Sequence, residues 1–529
     1  MDTNENVLIQ DDRFTFAHEN ERLHDQKLET KRRGYFKDAF IRFTKNKASV
    51  AASIIIGIII LFAIIVPLAT PGNIQTLRDV YYAKKGPRST TFYSLGINGG
   101  QTTALTDRTL IFEYSKGVAA EFSEQTPVKA IKDIKDSKYN PVISVSDASE
   151  KKDTSKSSST YSANVDQYLS VGFKYIQVEQ AEYQRILNYE ASSGLKVLYP
   201  VIAENEYTFQ TYKTDSRNAA NYWYKTTGKC DAIKTKADGS ISKVSFSEDL
   251  VLEDNYERDS SGNFVYYRLS GGGTSETATY LVRVLYYNYY QYLNGREPNY
   301  IFGTDSSGYS MIYRLASGIR LSLIIAVLVS VINFVIGAIY GAIEGYYGGA
   351  IDLIMERISD ILVDIPFVIV VTLFQLHLAK SVGSFVCLLF AYVSTGWIGT
   401  ASSVRSQFYP YKNQEYVLAA RTLGASDRRI MWKHIFPNTL GTLITSSVLV
   451  IPGVIFSESM LSFLGIVKLG DAYTTSLGTL LSDASSIWTS YPSLIIFPSI
   501  VLSLLMICFN LFGNGLRDAF NPQLRGSDE

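Results

Sequence analysis

Six stretches of this sequence carry no charge, or almost none, over the length a helix needs to cross a bilayer: residues 48–68, 321–343, 361–378, 381–404, 435–457 and 491–516. About 20 apolar residues span the ~30 Å hydrocarbon layer as a helix, and a helix satisfies every backbone N–H and C=O internally. A chain with six such stretches is therefore expected to form an all-α polytopic membrane domain. Bulk composition hides this, because 46% hydrophobic residues over 529 positions with a formal net charge of zero would suit a soluble protein. No basic stripe with interleaved aromatics occurs, which excludes a nucleic-acid partner.

Charge gives the chain a direction. Residues 1–47 are polar and carry Lys31, Arg32, Arg33, Lys37, Arg42, Lys45 and Lys47 just before the first apolar stretch. They are too many for the basic start of a cleaved signal peptide, and no small-residue cleavage site follows. They read as a cytoplasmic N-terminal tail, with 48–69 as the first transmembrane helix and Thr70 emerging outside. Residues 70–312 are different material, holding 26 of the 37 tyrosines and no stretch able to cross a membrane. About 240 residues suffice for an independent core, and the expectation is an inserted α+β extracellular domain. Within it 264–269 reads as a strand, 197–202 as an edge strand because of Pro200, and 178–192 as a helix closed by Gly194. The Lys- and Ser-rich run 147–162 reads as a solvated loop, and Gly271 to Gly273 as a flexible joint. The repeated tyrosines of 286–292 suit either stacking on a ligand or burial on a sheet or at the membrane interface. Cys387 and Cys508 lie in apolar stretches and Cys230 stands apart, so no disulfide framework is expected.

Residues 313–516 hold the other five stretches, and 517–529 form a C-terminal tail. Between the fourth and fifth stretches lies a charged island, 405–438. Asn413 is placed to cap a first helix, Gly424 to close it, and Ser426 or Asp427 to cap a second helix that ends before Pro437. Two short helices around a glycine turn make a rigid knob facing water. Basic residues concentrate here (Arg405, Lys412, Arg421, Arg428, Arg429, Lys433), whereas loop 466–490 has Lys468 alone. By the positive-inside rule the knob and both termini are cytoplasmic.

The pattern Ala419-Ala420, Gly424 and Pro437 resembles the "EAA" loop of ABC-importer permeases, whose helices dock into a groove of the cytoplasmic ATPase. The longer string Glu415-Tyr416, Ala419 to Ala425, Ser426-Asp427, His434-Ile435 and Pro437-Asn438 is similar to the C-type permeases of oligopeptide, dipeptide and nickel importers. One departure is plain: Leu418 stands where the motif has its acidic residue. The resemblance implies a type I importer permease fold in a bacterial cell membrane, with Glu415, Ala419, Ala420, Arg421, Gly424, Ala425, Ser426, Asp427, Arg428, His434 and Pro437 in the ATPase-coupling loop. It implies as partners a second, B-type permease, two ATPase subunits and an extracellular solute-binding protein, with ATP and Mg bound by the ATPases and no cofactor or metal in this chain. Short peptides are the expected cargo, nickel or another small solute the alternative. The string Ile301 to Leu315 resembles the segment before the family's second span and reads as an amphipathic helix on the outer surface.

Gly337, Gly341 and Gly345 lie four apart on one helical face, where bare backbone lets another helix approach; packing within the chain is the simpler reading. Arg357 and Asp360 are spaced to pair. Glu458 follows an uncharged run, and a carboxylate costs ~2.5–3.5 kcal/mol at a helix centre unless paired or wet. It faces either the translocation route or an interface with the partner permease, or it is hydrogen-bonded near the outer boundary. Asp364, beside Pro366, is expected at the solvated interface, and His377 has no ligand partner at metal spacing. No phosphate-binding Gly-x-x-x-x-Gly-Lys-Ser/Thr, no Gly-x-Ser-x-Gly and no zinc spacing occurs, so the chain is expected not to be an enzyme. A receptor or surface-anchoring protein with a sensing ectodomain is the reading from another class, and no output domain supports it.

Overall fold

The computed structural model describes residues 35–69, 78–125, 137–151, 158–204, 219–226, 233–235, 241–244, 252–270, 279–470 and 474–520. Among them five helices are long and apolar enough to cross a membrane, and a bent pair makes a sixth if counted as one span. The chain opens with α1 (Tyr35–Lys45), whose Ala39 and Phe43 are buried. Asn46 breaks it and accepts a hydrogen bond from the Ser49 N–H, starting α2 (Lys47–Ala69).

The insertion between α2 and the next span is mixed α and β. Strands β1 (Gly100–Thr106), β2 (Val142–Lys151) and β3 (Ser158–Asp166) form an antiparallel sheet in the order β1-β3-β2. Two further strands, β4 (Phe173–Glu179) and β5 (Leu198–Tyr199), join a second sheet. Short pairs are made by β6 (Tyr224–Thr226) with β9 (Leu252–Asp254), and by β7 (Ile233–Thr235) with β8 (Ile241–Val244). The second sheet is completed by β10 (Tyr267–Ser270) and β11 (Thr279–Leu285), with β11 central between β4 and the shared edge of β10 and β5. Its centre holds Arg283, fully buried, which donates to the Ala220 and Pro200 carbonyls and stacks 3.9 Å from the Phe173 ring centroid. Helices α3 (Asp107–Ala120), α4 (Gln180–Ser193) and α5 (Tyr286–Asn294) accompany the sheets.

Several local expectations need correction. Residues 147–151 and 158–162, expected as loop, are strand, paired from Ala148 with Tyr161 to Lys151 with Ser158, while 152–157 lie outside the described residues. Val178 and Glu179 finish β4, so the helix starts at Gln180, although Gly194 closes it with φ +70° as expected. The tyrosines of 286–292 lie on a helix, with Tyr286, Tyr287, Tyr289 and Tyr290 buried. The 271–273 joint, Cys230 and the tails before residue 35 and after 520 lie outside the described residues.

Both ends of the insertion are stitched together where they meet the membrane helices. Asp79 N–H donates to Gly308 O, Lys84 N–H to Asp305 O and Arg88 N–H to Tyr300 O. The contact is close enough that a Cβ on Gly308 would come 2.0 Å from Asp79 O, and the positive φ there suits glycine. From this base rises α6 (Met311–Tyr347), about 55 Å long at 1.5 Å per residue. The expected surface helix at 301–315 does not form as such: 301–310 are turns and short β-bridges, and only 311–315 are helical, opening α6.

Glycines decide the next contact. A Cβ on Gly337, Gly341 or Gly345 would meet Trp397 O, Ala401 O or Phe408 Cβ at 2.7, 2.1 and 2.7 Å, so the stripe receives a helix of this same chain. That helix is α10 (Ile398–Tyr411), reached through α7 (Gly349–Val363), α8 (Phe367–Val382) and α9 (Ser384–Thr395). The expected continuous span 361–378 is instead broken, with α7 and α8 meeting at 70°. Pro366 cannot continue a hydrogen-bonded helix and pushes Ile365 out of helical space. Asp364 caps α7 at this bend, exposed. After α11 (Glu415–Thr422) come α12 (Asp427–Phe463), α13 (Leu477–Ser485) and α14 (Ser493–Phe520). Phe43 of α1 packs edge-on to Phe512 of α14, 5.6 Å between centroids.

Candidate functional site

The knob forms at the end of α6 away from the insertion. Extended Gln414, not Asn413, stands at the start of α11, with no side-chain cap. The helix ends at Thr422, and Gly424 turns the chain with φ +79° while the Ala425 N–H returns to Ala420 O at 3.0 Å. Ser426, extended, precedes α12, again without a side-chain cap. The second helix does not stop before Pro437. Residues Ile430–Ile435 widen into a π turn and the helix runs on to Phe463. Proline lacks an N–H and crowds the preceding turn, and the wider turn just before it accommodates both. The island 405–438 is correspondingly shorter as a loop, since Arg405 to Tyr411 belong to α10 and Phe436 to Asn438 to α12.

Apolar packing fixes the knob from inside. Val417, Ile430 and Ile435 are fully buried in one cluster with Ala342, Val404 and Phe408. Polar contacts fix its orientation. Tyr346 donates to Asp427 Oδ1 at 2.5 Å and accepts from Arg421 at 3.2 Å, and Lys412 Nζ donates to Gly345 O at 3.1 Å. Arg421 is held even more firmly protonated than usual by its bond to Tyr346. Above the knob, Arg405 forks onto Asp352 (2.6 and 3.0 Å) and Glu356 (2.9 and 3.1 Å), and Tyr409 also donates to Asp352.

The face left open combines charge with apolar surface. Leu423 is 88% exposed and Leu418 46%, with Tyr416 and Trp432 exposed beside them. Glu415, Ala419, Arg421, Ser426, Asp427 and Arg428 are exposed, Ala420, Ala425 and His434 half-buried. Pro437 is exposed and Asn438 donates to Tyr416 Oη at 3.1 Å, tying α12 back to α11. Ser426, Arg428, Arg429 and Trp432 line an open depression.

Sequence reasoning missed Tyr346, and the only signal was its place one residue after the glycine stripe. It also left Arg405 as one loop charge among several, since the acids it joins lie some fifty residues earlier.

Toward the other end of the bundle Glu458 is fully buried, accepting from Ser322 Oγ at 2.9 Å and Ser462 Oγ at 3.1 Å. Ser322 also receives the Leu477 N–H, so the carboxylate sits where α6, α12 and α13 meet. Arg357 and Asp360 pair at 2.8 Å on the surface of α7. His377 is exposed, and among the described residues no cluster suits a metal ion.

Residues 335–526 match the family described as binding-protein-dependent transport system inner membrane component, and 34–87 match the N-terminal transmembrane domain of oligopeptide transport permease C. The oligopeptide transport system permease protein of Bacillus subtilis is 41% identical over 236 residues, 44% of this chain and 76% of that protein. The dipeptide transport system permease protein of Lactococcus lactis is 40% identical over 43% of this chain and 65% of its own length. A chain of an inward-facing MetNI methionine ABC transporter covers 40% of this chain and 98% of itself at 18% identity, with a TM-score of 0.31. The two family matches leave 88–334, most of it insertion, between them. With a multi-pass helical core, a glycine-turned knob and this degree of identity, the chain belongs to the binding-protein-dependent transport permeases, alongside the C-type oligopeptide and dipeptide proteins.

Proposed function

We propose that this chain is one permease subunit of an ATP-driven importer of short peptides, paired with a second, B-type permease and served by two ATPase subunits and an extracellular solute-binding protein. The observation that carries this is the knob: a stiffened pair of helices whose tip, Leu423, is bare while its base is bonded to α6. Such a part passes a push without absorbing it. ATP binding closes the ATPases, the knob follows, and α6 with α10 and α12 moves between outward and inward access. Residues Glu415, Ala419, Ala420, Arg421, Gly424, Ala425, Ser426, Asp427, Arg428, His434 and Pro437 form or frame the docking face. Leu418, in place of the motif's acid, makes that face more apolar.

Sidedness follows from charge. The knob's basic residues keep it in the cytoplasm, both tails accompany it, and the insertion, at the opposite end of α6, stands outside as an α+β domain beside the mouth. There it seats the solute-binding protein or shields the entrance. Glu458 serves the packing of three helices at the outer half of the pathway, and Asp364 the bend at its cytoplasmic side.

Purification of the complex tests the reading. The ATPases should co-purify with the wild-type chain and be lost with Leu423→Asp, and vesicles carrying the full complex should take up a labelled tri- or tetrapeptide only with ATP. Labelling of a cysteine placed at Arg428 by an impermeant reagent from outside the cell would overturn it. Nickel uptake without peptide uptake would move the cargo to the alternative.

A further inference from the structure

The insertion holds the turn that leads into α14 at three points. Gln101, near the start of β1, donates from Nε2 to the Ser490 carbonyl at 2.7 Å. Its amide oxygen accepts from Gln167 Nε2, and Gln167 Oε1 in turn accepts from the Gly86 N–H at 2.6 Å. Two side-chain amides thus run in series from the base of the insertion to the turn. Lys84, on the same base, has a left-handed backbone (φ +58°) and sets its ammonium 6.0 Å from the centre of the Tyr491 ring. That conformation is strained for lysine and persists only where the surroundings fix it; here the Lys84 N–H is bonded to Asp305 O at 2.9 Å. Phe302, from the other end of the insertion, has its ring 4.7 Å from that of Phe497, one turn into α14. Both phenylalanines pack against the apolar core of the membrane helices. The crevice left among Asp305, Met311, Leu480, Asp483 and Leu494 is about 10 Å³, no more than one water needs.

From these contacts we infer that the insertion is a brace. It ties the insertion-side end of α14 to that of α6, and the two ends stay together while the pathway opens and closes. The helices make little contact of their own, and the insertion bridges them from both ends of its chain, through Lys84 and Gln101 on one side and Phe302 on the other. A module hung on flexible joints would have no such hold. Since α6 runs unbroken from Met311 to Tyr347, a movement of the knob reaches α14 as well, by way of the insertion. The part the brace plays in the cycle rests on the import reading above; the contacts themselves do not.

Two measurements on the complete transporter test it. Gln101→Ala removes the last member of the amide series from a half-buried position near a strand end. Amide hydrogen exchange over 486–491 should then rise several-fold, the scale of one net hydrogen bond, while exchange over 279–285, in the middle of the second sheet, stays as in the wild type. Unchanged exchange over 486–491 overturns the brace, because the turn then holds itself. For the second measurement, cysteines replace Gln101 and Ser490 in a Cys230→Ser background and are joined by a short bis-methanethiosulfonate; Cys387 and Cys508 are buried. Peptide uptake should be the same linked and unlinked. A loss of uptake on linking that reductant reverses overturns the brace in favour of a latch, whose two sides part in every cycle. If the wild type takes up no peptide while the exchange result holds, the import reading fails and the tie between α6 and α14 is upheld.

Discussion

Tyr346 donates a 2.5 Å hydrogen bond to Asp427 while Arg421 donates to the same phenol at 3.2 Å, so one side chain at the end of α6 holds both helices of the knob. A lever transmits force only through joints that do not slip. Hydrogen bonds to charged groups are worth ~1.5–3 kcal/mol. Tyr346→Phe, which keeps the ring and removes the hydroxyl, should leave the complex assembled but cut peptide transported per ATP hydrolysed several-fold. Coupled uptake and ATPase measurements on one preparation would check it, and an unchanged ratio would show that the apolar contacts of Val417 and Ile430 suffice.

The chain's uncharged runs located the long apolar helices because the bilayer demands them, five continuous and one bent pair among the described residues. Where a second rule competed, the runs misled. Pro366 interrupts an apolar stretch and bends it by 70°, and the expected surface helix at 301–315 is turns and bridges up to Ser310, with only its last five residues taken into α6. At the knob, Gly424 was readable because φ > 0 has few occupants, whereas the passage through Pro437 depends on a π turn that no local pattern announces. Glu458 was recognisable as an oddity from its own position. Its partner Ser322 lies 136 residues away, a distance over which sequence spacing says nothing.

Gly424 separates two causes that usually act together. A Cβ there would touch nothing within 4 Å, so space is not the constraint, but φ is +79°. Gly424→Val should therefore cost the strain alone, more than the ~1–2 kcal/mol of an unbranched residue because valine is β-branched, lowering ATPase co-purification. Gly424→Asn, which tolerates the left-handed region, should stay close to wild type. Equal loss in both variants would mean that the partner needs the bare backbone itself.

The glycine stripe of α6 makes the opposite case, with backbone space as the constraint. At Gly341 a Cβ would sit 2.1 Å from Ala401 O, and only a shift of α6 against α10 could relieve it. Gly399 of α10 has nothing within 4 Å of an added Cβ. Gly341→Ala should destabilise the permease by ~1–3 kcal/mol, while Gly399→Ala should leave it unchanged. Thermal unfolding of the detergent-purified complex gives the comparison, and similar midpoints for the two variants would refute the close contact.

Arg405 is ion-paired with Asp352 and Glu356 and lies 3.7 Å from Glu344. Its fork ties α7, the near half of the bent span, to α10, so the bend at Pro366 has one arm clamped and one free. Lysine supplies the charge but not two parallel pairs of N–H donors. Arg405→Lys should assemble yet loosen α7, seen as faster hydrogen exchange over 349–363 and lower uptake. Arg405→Ala should go further, destabilising by roughly 2 kcal/mol, between the values for exposed and buried pairs, since three carboxylates are then left facing one another. If exchange over 349–363 is unaltered in both variants, α7 is held by its apolar face and the cluster is only a solvated edge.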